Sequence, residues 1–201
     1  MPHTLFLARH GETVWNRDSR KQGQSDSPLT PRGLLQAERL GEELSHAGID
    51  VIFTSPLGRA FSTATIAAER IGVEIIAVDR LAEIDYGDYT GMGADEYEAQ
   101  PGWSPEAKRS LTWKCPGGES YEDLDRRAVE ALRFIGSYDA RTALVVSHQT
   151  FGRMLVKNLC GWRFDDALAH KHPHGTVYRW DASEPAELAI ECDDRVAERQ
   201  N

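Results

Sequence analysis

Thr4-Leu5-Phe6-Leu7-Ala8-Arg9-His10-Gly11-Glu12-Thr13 decides how this chain is read. A short, mainly apolar run is what a parallel strand covered on both faces requires. It stops abruptly at a cation, an imidazole and a glycine, and the polar stretch that follows, to Ser27, reads as loop. Far along the chain, Thr142-Ala143-Leu144-Val145-Val146 repeats the pattern and stops at Ser147-His148. Two strands thus end in histidine.

Working outward, Thr30 is placed to N-cap a helix whose first residue is Pro31. Leu34, Ala37, Leu40, Leu44 and Ala47 recur at helical spacing, and Gly48 ends that helix. Val51-Ile52-Phe53 reads as a strand. Ser55-Pro56 opens a helix in which Ala60, Thr63, Ala64, Ala67 and Ile71 share a face, and Glu74 to Val78 reads as another strand. A helix over Ser120 to Tyr138 turns Leu124, Ala128, Ala131, Leu132 and Ile135 inward, and a further helix spans Phe151 to Leu159. Val177–Trp180 and Leu188–Cys192 read as two terminal strands, with a solvated, frayed tail from Asp193. Residues 81–118, rich in Gly, Pro, Trp and charge, form a long loop carrying short helices. Loops of that length in a compact domain are usually functional. With no repeat and no linker, 1–201 reads as a single domain.

Strands alternating with helices imply an α/β fold, a three-layer α/β/α sandwich with a mostly parallel central sheet. Such sheets bind ligands in the crevice at the C-terminal strand ends. His10 and His148 each follow a strand directly, so both are expected to face that crevice.

Composition narrows the function. A formal net charge of −9 argues against nucleic acid or an anionic membrane as a partner. An anionic substrate would need a local basic pocket that reverses the global field. No apolar run is long enough to cross a bilayer, and Met1-Pro2-His3-Thr4 lacks the basic start of a signal peptide. Cys115, Cys160 and Cys192 show no paired metal-ligand spacing and leave one over in any disulfide scheme, which favours reduced thiols and a cytoplasmic location. A homo-oligomer stays open.

Arg9-His10-Gly11-Glu12-Thr13, with Trp15-Asn16 behind it, resembles the opening motif of the histidine phosphatase superfamily, the phosphoglycerate mutase-like family. The resemblance continues through Gln22-Gly23, Asp26, Pro28-Leu29-Thr30 and Gly33, then Ser55-Pro56-Leu57-Gly58-Arg59-Ala60 with Thr63-Ala64. It goes on through Leu81, Glu83, Tyr86-Gly87 and Gly91 to Pro116-Gly117-Gly118-Glu119-Ser120 and Ser147-His148. The pieces arrive in the family's order and span nearly the whole chain.

Chemistry supports the same reading. A neutral imidazole is a competent nucleophile near neutral pH if nearby cations keep its pKa from rising. Arg9 and Arg59 can supply that field while forking onto phosphate oxygens. His148, if protonated, adds another donor. The resemblance implies that these four surround a phosphate and that His10 becomes transiently phosphorylated. It also implies contacts from Asn16, Gln22, the Gly23 N–H, Tyr86 and Gln149. Glu83 matches the family's proton-donating carboxylate; beside a phosphate dianion and shielded from water, such a group has a raised pKa suited to a leaving oxygen. Asp85 and Asp88 lie close by as other acids.

Each residue also has a plainer reading. A lone histidine after a strand is usually structural, but His10 is flanked by the whole motif. Arg59 could be a salt-bridge residue at a helix N-terminus, yet a cation in a helix's first turn opposes the helix dipole. Glu119 is read as supporting the start of its helix. His170, His172 and His174 alternate like metal ligands, but Lys171 and Pro173 intervene and no Cys or carboxylate pairs with them. The resemblance implies no metal and no cofactor. Tyr97, Trp103 and Trp113, with Lys108, Arg109 and Lys114, suggest a lid that selects the phosphate's organic half. Gln149 stands where many family members have Gly, so relatives' substrate preference does not transfer directly.

The expectation is therefore a metal-independent phosphomonoesterase, a histidine acid-type phosphatase acting on a small phosphorylated metabolite. One alternative is a cofactor-dependent phosphoglycerate mutase, although such mutases carry a larger basic insertion between the Glu83-like acid and the helix near Ser120. The other is a non-catalytic binding module of the same fold.

Overall fold

A computed structural model describes residues 1–183 and 188–191. Six strands form one sheet: β1 (Thr4–Arg9), β2 (Val51–Thr54), β3 (Ile75–Ala77), β4 (Thr142–Ser147), β5 (Thr176–Asp181) and β6 (Leu188–Glu191), in the order β3-β2-β4-β1-β5-β6. β3, β2, β4 and β1 run parallel, and β5 and β6 add antiparallel pairings at one edge. The helices are α1 (Val14–Arg17), α2 (Pro31–Leu44), α3 (Gly58–Ile71), α4 (Ala94–Glu98), α5 (Pro105–Lys108), α6 (Tyr121–Gly136), α7 (Gln149–Cys160) and α8 (Phe164–Ala169).

Period-two alternation explains the layers. Leu5 and Leu7 of β1, Val51 and Phe53 of β2, and Ala143 and Val145 of β4 point into a core shared with Leu124, Ala128 and Ile135 of α6 and Phe151 and Met154 of α7. Phe6, Ala8, Ile52, Leu144 and Val146 face the other way, onto Leu40 and Leu44 of α2 and Ala60, Ala64 and Ala67 of α3. The three-layer arrangement with a mostly parallel sheet is therefore present. Neighbouring parallel strands β1 and β4 send their following helices to opposite faces. That leaves a crevice at their C-terminal ends, where ligands bind in open α/β sheets.

Boundaries differ where caps come from elsewhere. Thr30 caps α2 through its side chain and Pro31 is the first residue, as the sequence implies. α3 starts at Gly58 rather than Ser55, because Ser55 Oγ accepts the Leu57 N–H in a turn and the Asp26 carboxylate receives the Gly58 and Arg59 N–H groups. α7 begins directly after His148, two residues before the predicted start. Leu34, expected inward, is 44% exposed. Gly33, Gln36, Ala37, Leu40, Gly41 and Leu44 form the buried stripe instead. The tail expected from Asp193, and Cys192, lie outside the described residues. Among the described residues no helix is long and apolar enough to cross a membrane.

The stripe is set by a close backbone approach. A Cβ on Gly33 would lie 2.0 Å from the Glu12 carbonyl oxygen, and one on Gly11 would lie 2.3 Å from that of Gly33. Only glycine lets α2 touch the segment that leaves β1. Gly33→Ala should therefore cost at least ~1–3 kcal/mol, since rigid backbone must move. Urea unfolding measures this, and an unchanged midpoint would show that the contact is looser than drawn.

Candidate active site

His10 extends the β1–β4 pairing by one step, its N–H donating to the Ser147 carbonyl at 2.9 Å. This fixes it beside His148, with ring centroids 5.1 Å apart. Nδ1 of His10 lies 2.7 Å from the Gly11 carbonyl oxygen. A carbonyl only accepts, so Nδ1 carries the proton and Nε2 carries the lone pair. Arg59 agrees, donating its Nε–H to that same Nε2 at 3.3 Å. Burial first, then the neighbouring His148, Arg9 and Arg59, hold the His10 pKa well below 6.5. The ring is neutral.

Arg59 is buried and Arg9 half-buried. Nη1 of Arg9 donates to the His172 carbonyl at 3.3 Å, while its Nε–H has no partner. Burial lowers its pKa to about 10, so it stays cationic near neutrality. A buried donor without an acceptor costs about 1–3 kcal/mol, and an anion's oxygen would relieve that cost. Arg59 is clamped by the loop between α1 and α2: Gly23 and Ser25 carbonyls at 2.7 Å each and the Asp26 carboxylate at 2.9 Å.

His148 is fully buried, and its Nε2 lies 2.8 Å from Ser55 Oγ. Burial, then Arg59 and Arg9, hold its pKa well below 6.5. Protonation, the condition under which the sequence makes His148 a cationic donor, is therefore disfavoured by desolvation and by the neighbouring guanidinium groups. A neutral ring still offers one N–H, and Nδ1 has no partner.

Glu83 sits under the N-terminus of α7. Its carboxylate accepts N–H groups from Thr150 at 3.1 Å, Phe151 at 2.9 Å and its own neighbour Ile84 at 2.9 Å. Three of its roughly four lone-pair sites are thus taken, and the site left on Oε2 is the one from which a proton could pass to a leaving oxygen.

These groups meet around a cavity of about 140 Å³. Arg9, His10, Asn16, Gln22, Gly23, Arg59, Glu83, Tyr86 and Gln149 line it, and the His148 ring lies 5.1 Å from that of His10. Asn16 Oδ1 is taken by the Thr13 N–H and hydroxyl, which leaves the amide NH₂ as the group able to meet a ligand. Drug-sized ligands occupy roughly 300–1,000 Å³. The space here suits a phosphate group and few atoms beyond it.

Several expectations change. Tyr97 is buried with Tyr89 and Cys115 in a small core of their own, against which Trp103 and Trp113 pack. They line no part of this cavity, because the long loop uses its aromatics to hold itself together. Glu119 lies before the Ser120 cap and pairs with Arg127 rather than with the start of its helix. The alternating histidines diverge. His174 Nδ1 donates to the His10 carbonyl at 2.7 Å, while His172 packs on Tyr178. Among the described residues no three metal-ligating side chains converge.

Arg20, Lys21 and Thr150 line the cavity and were not singled out from sequence. Arg20-Lys21 carried a signal, being a basic pair next to Gln22-Gly23 in an acidic chain. Ser55 and Asp26 sat inside quoted motifs without assigned roles.

Against known proteins, the model of the histidine phosphatase superfamily (branch 1) matches residues 5–192. A probable phosphoglycerate mutase GpmB of Klebsiella pneumoniae is 40% identical over 160 residues, covering 78% of this chain and 74% of that protein. A mycobacterial glucosyl-3-phosphoglycerate phosphatase, solved with VO3, superposes with a TM-score of 0.83 at 26% identity, over 94% of this chain and 98% of that one. YhfR of Bacillus stearothermophilus superposes at 0.81 with 31% identity, over 94% and 95%.

The buried histidines give a pH signature. His10 and His148 have pKa values well below 6.5, and those of His172 and His174 fall to about 3, in each case mainly through burial. The unfolded chain takes up a proton at each as pH falls through about 6.5, and the folded chain does not. Their contribution is therefore complete above that pH and is lost on acidification towards the folded values. One such group costs up to about 1.4 kcal/mol per pH unit within that window. The urea midpoint should fall steeply between about pH 7.5 and about pH 5.5; a flat profile would contradict a neutral cluster.

Proposed function

The chain belongs to the histidine phosphatase superfamily, and from that premise we propose that it is a metal-independent phosphomonoesterase working through a phosphohistidine on His10. One observation carries the reading: a neutral imidazole, its Nε2 lone pair held by Arg59, stands beside Arg9, whose buried Nε–H lacks an acceptor. The names of two comparison proteins point to phosphate ester chemistry, and VO3 in one of them is a phosphate mimic.

In this mechanism Arg9, Arg59 and the Asn16 amide take the phosphate oxygens. His10 Nε2 attacks phosphorus, the N–P bond forms and the ester P–O bond breaks. Protonated Glu83 gives its proton to the leaving oxygen. Water then attacks phosphorus, Glu83 takes the proton back, and the N–P bond breaks to release inorganic phosphate. Ester and water become alcohol and phosphate. Preorganised donors around a phosphoryl group are the main source of rate in such reactions. His148 contributes the N–H of its unpaired Nδ1, and Gln22, Gly23, Tyr86 and Gln149 bound the space for the ester's first atoms.

Residues 1–201 are read as one domain, cytoplasmic on its composition, acting on a small phosphorylated metabolite with no cofactor. The mutase names among relatives favour a second reading, in which a substrate hydroxyl and not water receives the phosphoryl group from His10. The compact 84–119 interval and the small cavity favour water.

A panel of phosphate esters assayed for phosphate release, run beside 3- to 2-phosphoglycerate interconversion, separates the two. Release from one or more esters, exceeding interconversion at least ~10-fold, is expected of a phosphatase whose phosphoenzyme favours water by about 1.4 kcal/mol. Dominant interconversion would establish the mutase, and silence on every ester would leave a binding module.

A further inference from the structure

Glu83 is held on its side-chain end by the α7 N-terminus. Its backbone is held by a different device. The Arg127 guanidinium, reaching across from α6, donates to three carbonyls of the approaching segment: Arg80 at 3.0 Å, Ala82 at 2.6 Å and Glu83 itself at 3.1 Å. Its remaining N–H groups fork onto Glu119, Nε to Oε1 at 2.9 Å and Nη2 to Oε2 at 2.7 Å. Glu119 closes the loop, because its Oε2 also accepts the Asp85 N–H at 2.9 Å, and its own N–H donates to the Asp85 carbonyl at 2.9 Å. The guanidinium plane lies 4.8 Å from the Phe151 ring, and the Phe151 N–H is one of the donors on the Glu83 carboxylate.

One ion pair therefore grips the chain on both sides of Glu83 and touches the helix end that orients its carboxylate. Arg127 and Glu119 are mostly buried, with side chains 17% and 22% exposed, so the pair is not a freely solvated contact of the kind worth little. Neither residue lines the cavity. A lysine could not replace the fork, since a point charge cannot reach three carbonyls and two carboxylate oxygens in one plane.

We propose that Arg127 and Glu119 are a pair of positioning residues that aim Glu83 for proton transfer to the leaving oxygen. The inference rests on the reading of Glu83 as that proton donor. Displacing a reacting group by about 1 Å can cost on the order of 10²-fold, so loosening the clamp should show in the step that Glu83 serves and not in the attack by His10.

Single-turnover phosphorylation of His10 is the readout, with an alkyl phosphate and p-nitrophenyl phosphate as the two donors. An alkyl leaving oxygen needs the proton, worth about 10²- to 10⁴-fold, while a nitrophenolate needs little help. Arg127→Lys and Glu119→Gln are each expected to slow the alkyl ester by about 10- to 100-fold and the nitrophenyl ester by less than about 3-fold. On a Glu83→Gln background neither should add to the alkyl-selective loss. Thermal unfolding identifies a variant that fails to fold, and the other variant then carries the test. Equal losses on both esters, no loss, or undiminished losses without the Glu83 carboxyl would overturn the proposal. The Glu83→Gln protein alone tests the underlying reading: if it slows both esters equally, Glu83 is not the donor and the positioning role falls with it.

Discussion

An uncharged imidazole held against two guanidinium groups is the arrangement on which the site depends. Burial strips His10 of the water that would stabilise its cation, and Arg9, Arg59 and His148 add to that penalty. Desolvation and charge thus act in the same direction, and the lone pair on Nε2 stays available. The same cations lack a full set of counter-charges inside the cavity, where Glu83 is the one lining carboxylate among the described residues. An acidic chain has built a basic hole.

The fold supplies this at strand ends and helix starts. β1 and β4 are parallel neighbours, so Arg9-His10 and Ser147-His148 arrive side by side. α3 starts where it does because Asp26 caps it and holds Arg59 with the same carboxylate. α7 starts one residue after His148 and spends its free N–H groups on Glu83. Helix termini that would otherwise need separate caps are satisfied by the groups that carry the chemistry. The glycine contact between Gly11 and Gly33 keeps the turn after β1 tight enough for this to hold.

Much of this was legible from sequence for a physical reason. Buried parallel strands are short apolar runs, and a polar break marks their ends, so His10 and His148 could be paired without coordinates. The motif order placed Arg59, Asn16, Gln22, Gly23, Glu83, Tyr86 and Gln149 around one space. What failed was tertiary. Leu34 has the right period but sits just outside a stripe fixed by the Gly33 backbone contact. Tyr97, Trp103 and Trp113, expected in a lid, pack together with Tyr89 and Cys115 within the long loop, which local composition cannot distinguish. The Arg127–Glu119 clamp joins residues eight apart to carbonyls more than forty positions away, and backbone acceptors leave no trace in sequence. The neutrality of His148 follows from complete burial, which a residue after a strand does not announce.

The position of the phosphoryl group on His10 tests the account most directly. Gly11 holds Nδ1 as a donor, leaving Nε2 as the attacking atom. Wild-type protein turning over a labelled ester should be quenched, digested under basic conditions where phosphohistidine survives, and its phosphopeptide identified with the isomer resolved by ³¹P NMR. The account predicts label on His10 alone, as Nε2-phosphohistidine, and none in His10→Ala. Label on Nδ1, on His148, or retained turnover without any phosphohistidine would contradict it.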